Sequence, residues 1–174
     1  MNLVQFILLS WLLPLCHGFD LGLGPRYYHR GEKVDLIVNK VESDQTQLPY
    51  SYYSLPFVCP TDPTTARPVS LTLGEILRGD RKWESGYQLN FGIDMPCVRL
   101  CDLICKESVV EKADNFIRKG YVAHWEVDNL PGATTFLDNQ RNKYYAAGFP
   151  LGFVKDDVSY IYNHFMIVIR MHRA

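Results

Sequence analysis

Two stretches late in the chain alternate apolar and polar side chains with the two-residue period of a strand that buries one face. In residues 121–128, Tyr121, Ala123, Trp125 and Val127 fall on one side, and His124, Glu126 and Asp128 on the other. In residues 160–171, Ile161, Phe165, Ile167, Ile169 and Met171 share a face whose polar exception is Asn163. A further strand is expected over residues 33–41, rich in Val, Leu and Ile and closed by the polar run 42–47. The period changes at residues 109–119, where Val109, Val110, Ala113, Phe116 and Ile117 line one side of a helix. Ser108 and Glu111 have the spacing of a capping box in front of it, and Gly120 stands where a helix turns off. That apolar side reads as core rather than as a cofactor site.

The remaining segments are punctuated by proline and glycine. Residues 48–57 are rich in Tyr and Pro and are expected to be extended, because Pro49 and Pro56 disfavour helix around them. A loop is expected over residues 61–68, next to Pro60 and containing Pro63 and Pro68. Ser70 then caps a short helical turn through Leu77, ended by Gly79. With strands dominant, one good helix near the middle and no internal repeat, the expected fold is α+β and β-sandwich-like, with one or two short helices.

The start of the chain changes the picture of where this domain works. Residues 1–18 contain no Asp, Glu, Lys or Arg, and their apolar run over residues 6–15 has the length of a signal-peptide core. It falls well short of the ~20 residues of a membrane span. Cys16 at −3 and Gly18 at −1 place cleavage before Phe19. The expected organisation is therefore a signal peptide, residues 1–18, and one lumenal or extracellular domain, residues 19–174, long enough for one core. With 18 basic residues against 19 acidic, nothing electrostatic points to nucleic acid. No second apolar run of spanning length follows, and no Asn-x-Ser/Thr triplet offers an N-glycan site.

Cleavage leaves Cys59, Cys97, Cys101 and Cys105, an even count in an oxidising compartment, so disulfide chemistry is expected. The last three recur every fourth residue. In a straight strand that spacing is about 13 Å, beyond the roughly 7 Å reach of a disulfide between Cα atoms. A strand would allow one bridge, to Cys59, and leave two thiols, whereas a turn around residues 102–104 would let Cys101 meet Cys105. Metal binding by these cysteines is disfavoured, because structural zinc sites prefer closer Cys-x-x-Cys pairs. His124 and Glu126 share the polar side of one strand, and His164 and His172 that of another, which suits surface or network histidines. There is no HExxH, GxSxG, P-loop or GxGxxG, so no catalytic site and no cofactor is expected. The tripeptide Arg78-Gly79-Asp80 spells a short integrin-ligand sequence, but it also reads as a helix terminus with local ion pairing.

Several blocks are more specific than their physics. LPYSYYSLPF at residues 48–57 resembles the LPYxYYSLPF signature of the transmembrane 9 superfamily, the nonaspanins. In the family's order follow LGEILRGDR at 73–81, CVRLC at 97–101, WEVDNLP at 125–131, GFPLG at 148–152 and YIYNH at 160–164. Each is similar to a family block, and together they cover nearly the whole chain after the signal peptide. Cys105 has no counterpart, since the family pattern suggests Cys59, Cys97 and Cys101 only. Family members also continue into nine membrane spans, so a chain of 174 residues is expected to be a fragment or a truncated, soluble product.

The resemblance implies a Golgi or endosomal membrane protein that sorts other membrane proteins, with links to adhesion and metal homeostasis. This segment would be its non-enzymatic lumenal amino-terminal domain. Its partners would be its own membrane segments and cargo membrane proteins. Tyr50, Tyr52, Tyr53 and Phe57 are the candidate contact residues, because rigid aromatics are frequent at interfaces. The competing role for them is to cover the core beneath a long loop. Two other classes of function remain open: an adhesion module acting through residues 78–80, and a lumenal metal-binding domain using His124, Glu126 or the cysteines.

Overall fold

A computed structural model describes residues 27–46, 48–59 and 65–171. The expected signal peptide, part of the proline-rich loop and His172 lie outside the described residues. Twelve strands and two α-helices are present among those described, so the chain is strand-dominated α+β as expected.

The centre is the antiparallel pair β2 (Leu36–Glu42) and β6 (Val122–Val127), which fall on the strands expected over residues 33–41 and 121–128. Along its other edge β2 pairs with β4 (Trp83–Glu84) over its first half and with β3 (Tyr50–Ser51) over its second. Beyond β6 lie β7 (Leu130–Pro131) and β10 (Phe149–Pro150), which complete a six-stranded sheet. Three two-stranded antiparallel ribbons stand apart from it. They are β1 (Lys33–Val34) with β5 (Leu89–Asn90), β8 (Ala133–Leu137) with β9 (Lys143–Ala147), and β11 (Gly152–Lys155) with β12 (Val158–Ile161).

Alternation decides which side of the central pair is core. Val34, Leu36, Val38 and Val41 from the first strands, Tyr121 just before β6, and Ala123 and Trp125 within it are buried. Trp125 is the hub. Its ring lies 4.7 Å from that of Phe149, 5.1 Å from those of Tyr87 and Phe165, and 6.1 Å from that of Tyr52, centroid to centroid. Removing so large a buried ring typically costs about 3–5 kcal/mol.

Both helices form, with different starts from those expected. Helix α1 (Leu73–Leu77) is capped by Thr72, not Ser70. Thr72 Oγ1 accepts from the Glu75 backbone N–H at 3.3 Å, and the Thr72 N–H donates to Glu75 Oε2 at 2.7 Å, a complete capping box. Helix α2 (Glu107–Arg118) starts two residues before the expected Val109. Lys106 is its extended N-cap residue and makes no side-chain cap bond, so Ser108 lies inside the first turn rather than in front of it. Its C-terminus behaves as expected: Gly120 has φ 63°, with its N–H on the Ile117 carbonyl and that of Tyr121 on Phe116, a Schellman arrangement. The expected apolar side is graded, with Ile117 buried and Phe116 half-buried, but Val110 exposed.

Two other expectations are corrected. The segment between Pro49 and Pro56 is not extended throughout: after β3 it makes one 3-10 turn, Tyr52–Ser54, closed by the Leu55 N–H on the Tyr52 carbonyl at 3.2 Å. Three residues fit between the prolines without asking either for a missing donor. The last strand ends at Ile161 instead of continuing to Met171, and residues 162–171 have no ladder partner among the described residues.

Candidate functional site

The aromatic segment that the sequence singles out is divided by the fold. Tyr52 and Tyr53 are buried in the core, and Phe57 is half-buried against it. The Tyr53 hydroxyl donates to the Glu84 carbonyl at 3.0 Å, which anchors the 3-10 turn to β4. Burial raises the Tyr52 phenol well above its ordinary value and pushes Tyr53 up to about 12, so both are neutral core groups. Tyr50, 38% exposed, is the member that presents surface, set edge-on to Phe116 at 5.3 Å and Tyr121 at 5.7 Å.

The densest polar constellation lies on the other side of the central strands, in a cleft of about 410 Å³ between β2, α1 and β6. A bulge builds it. The register of β2 against β6 runs Val38↔Trp125 and then Val41↔Ala123, so Asn39 and Lys40 together oppose His124. The extra residue turns the buried Asn39 toward the chain after α1. There its Oδ1 accepts from the backbone N–H groups of Lys40 and Arg81, both at 2.7 Å, and its Nδ2 donates to Glu126 Oε1 at 2.7 Å.

Lys82 lies at the centre, its side chain 7% exposed. Its ammonium is 2.7 Å from Glu75 Oε1 and 2.6 Å from Glu126 Oε2. Burial alone depresses Lys82, but hydrogen bonds to Glu126 and Glu75 outweigh it and leave the amine above its ordinary value. Glu75 is held down to about 2, first by Lys82 and then by the N–H and hydroxyl of Thr72. On the rim, Lys40 Nζ pairs with Glu42 at 3.1 Å and Asp80 at 3.7 Å, and His124 Nε2 lies 3.0 Å from Glu42. Neither Asn39 nor Lys82 is singled out by sequence reasoning. A lysine four residues after a helix C-cap carries no signal until the fold brings two carboxylates to it.

This arrangement accounts for two candidates. Arg78, Gly79 and Asp80 terminate α1, with Gly79 at φ 74° and the Asp80 N–H bonded to the Glu75 carbonyl at 3.0 Å. The Asp80 carboxylate is 9% exposed and faces Lys40 and Arg78, so it is engaged within the domain rather than displayed. His124 and Glu126 are likewise partnered inside the cleft, and among the described residues no three His, Cys, Asp or Glu side chains converge as a metal ligand set.

The cysteines form one bridge, Cys59–Cys101, with Cα atoms 5.9 Å apart. Cys97 and Cys105 are free and exposed, so of the two arrangements open in the sequence the single bridge to Cys59 is present and the turn joining Cys101 to Cys105 is not. Cys97 Sγ lies 3.9 Å from His164 Nδ1.

The motif blocks now have structural roles in a single domain: LGEILRGDR and WEVDNLP meet in the ionic cleft, while LPYSYYSLPF and GFPLG line the core around Trp125. Comparison with known proteins agrees. The family model Endomembrane protein 70 matches residues 49–174, well over half of the chain. The chain belongs to this family, and its relatives are transmembrane 9 superfamily proteins. It is 51% identical over 161 residues to Transmembrane 9 superfamily member 3 of Saccharomyces cerevisiae, a match covering 90% of this chain and 22% of the relative. Transmembrane 9 superfamily member 4 of Homo sapiens is 32% identical over 171 residues, covering 87% of this chain and 26% of that protein. Transmembrane 9 superfamily member 10 of Arabidopsis thaliana is 31% identical over 166 residues, with 90% and 26% covered. The chain therefore spans about a quarter of the length of these curated relatives. No solved structure matches. Among the described residues no helix is long and apolar enough to cross a membrane.

Proposed function

We propose that this chain is the lumenal amino-terminal domain of a nine-span Golgi or endosomal membrane protein that sorts other membrane proteins, and that it acts without catalysis. The observation that carries the reading is the ordered set of family blocks, together with 51% identity to a transmembrane 9 relative across 90% of the chain. The Cys59–Cys101 bridge suits an oxidising lumen. The polar cleft is consistent with a structural role, since its central lysine and both flanking carboxylates are satisfied by one another. Cargo contact then falls to the exposed aromatic surface, with Tyr50 as the candidate from the Tyr- and Pro-rich segment.

Two measurements test this. An antibody against the domain should detect a membrane-bound product far heavier than 20.1 kDa, because nine spans alone add about 180 residues. A soluble product near that mass would defeat the membrane reading. In yeast cells lacking the 51%-identical relative, a chimera carrying this chain in place of the matched region should restore delivery of a reporter membrane protein. Tyr50→Ala should weaken that delivery without changing expression. Equal delivery by Tyr50→Ala and unsubstituted chimeras would remove Tyr50 from the contact surface.

A further inference from the structure

The run Phe165-Met166-Ile167-Val168-Ile169 is apolar at every position, the pattern of a strand covered on both sides. Its inner side is seated at its start, at Phe165 and Ile167, while Ile169 on the same side is 44% exposed. Phe165 packs 5.1 Å from Trp125 and 6.4 Å from Phe149, centroid to centroid, and Ile167 is half-buried against the same cluster. Its outer side is bare, with Met166 83% and Val168 64% exposed. The alternation of a strand is therefore present without the ladder. Among the described residues the last backbone hydrogen bond in this direction joins the Tyr162 N–H to the Leu151 carbonyl at 3.0 Å. A segment that rests on the core at one end and has no ladder partner among the described residues is a template for strand addition.

We propose that residues 163–171 form a strand of a second layer over the six-stranded sheet, completed by a strand of the same polypeptide. That strand belongs to the part of the longer relatives that lies outside the matched region. The family match runs through residue 174, so the run lies inside the matched region. The relatives have about three-quarters of their length outside the match, ample for further strands. A strand from the same polypeptide closes its loop at a cost that grows only slowly with length, whereas a second copy must be recruited from solution. The inference rests on the chain being part of a longer protein, but not on any role in sorting.

The test compares the isolated chain from Phe19 with the chimera in which this chain replaces the matched region of the yeast relative. Both carry Cys97→Ser and Cys105→Ser, which remove the two free exposed thiols, together with Met166→Cys. Maleimide labelling at position 166 is expected to be at least ~100-fold slower in the chimera, the protection of a stably covered site. Gln140→Cys, on an exposed ribbon tip, should label at equal rates in both. Hydrogen exchange of amides 164–170 in the unsubstituted proteins gives the same comparison if Met166→Cys disturbs folding.

Fast labelling and fast exchange in the folded chimera overturn the proposal. So does protection in the isolated chain that disappears on dilution, which would make a second copy the occupant. Protection in the chimera that is lost when detergent replaces the membrane also overturns it, since lipid would then be the cover. A chimera that sorts cargo while labelling fast defeats this inference and leaves the proposed function standing. Protection without sorting does the reverse.

Discussion

Lys82 shows how a buried charge is tolerated here. Alone it would lose its hydration in a site 7% exposed, but two carboxylates within 2.7 Å replace that water, and Asn39 satisfies the second oxygen of Glu126. Removing the cation strands both acids, so Lys82→Met is expected to cost about 3–5 kcal/mol in urea unfolding. Glu75 gives the pH signature. Its folded value of about 2 lies below its ordinary value of 4.5, so the stability it contributes is present above about pH 4.5. That contribution drains away as pH falls toward 2. Glu75→Gln should therefore lower the urea midpoint at pH 7 and converge with the unsubstituted protein as pH approaches 2. A gap of constant size across that window would mean that Glu75 acts through packing rather than through its charge.

Among the elements, legibility follows burial. The central strands β2 and β6 and helix α2 are readable because one side of each packs on the core and the other does not. β1, β4, β5, β7 and β10 are two residues each, too short to show a period at all. The β8–β9 ribbon is long enough, but Phe136, Leu137, Tyr144 and Tyr145 are all exposed, on both of its sides, so no alternation marks it. The turns joining β6 to β7 and β11 to β12 place Asp128-Asn129 and Asp156-Asp157 at positive φ, the mirror-image turns that suit tight hairpins. Only the first pair stands in a family block.

Helix caps are poorly marked in the sequence, because Ser, Thr and Glu recur near the helix starts and only backbone geometry selects among them. Thr72→Ala should lower stability by about 1 kcal/mol, whereas Ser70→Ala should leave the urea midpoint unchanged. If both variants behave alike, the capping box at Thr72 is not what starts α1. The ionic cleft is illegible in the sequence for a related reason. Its members come from three separate segments, and nothing in their spacing announces that they meet.

At the scale of the whole molecule, the disulfide decides whether the long irregular segment between β5 and α2 belongs to the domain. Residues 91–106 contain no strand or helix, and most of their side chains are exposed. Leu100 faces a cleft it shares with Tyr53 and Cys59, and Cys101 bonds to Cys59 just after the aromatic 3-10 turn. The bridge spans 42 residues of sequence, a loop for which cross-linking typically contributes about 2–4 kcal/mol by restricting the unfolded chain. Cys101→Ser should lower global stability by that amount. It should also make residues 91–106 the first site of limited proteolysis, while Trp125 fluorescence still reports an intact core. A thiol titration of the native domain starting at Phe19 should count two groups, Cys97 and Cys105, rising to four after reduction. Cleavage elsewhere first, or a native count of zero, would mean that the segment is held by contacts other than this bridge. The exposed Cys97 and Cys105 would then be the residues to examine, because they are the thiols left to form them.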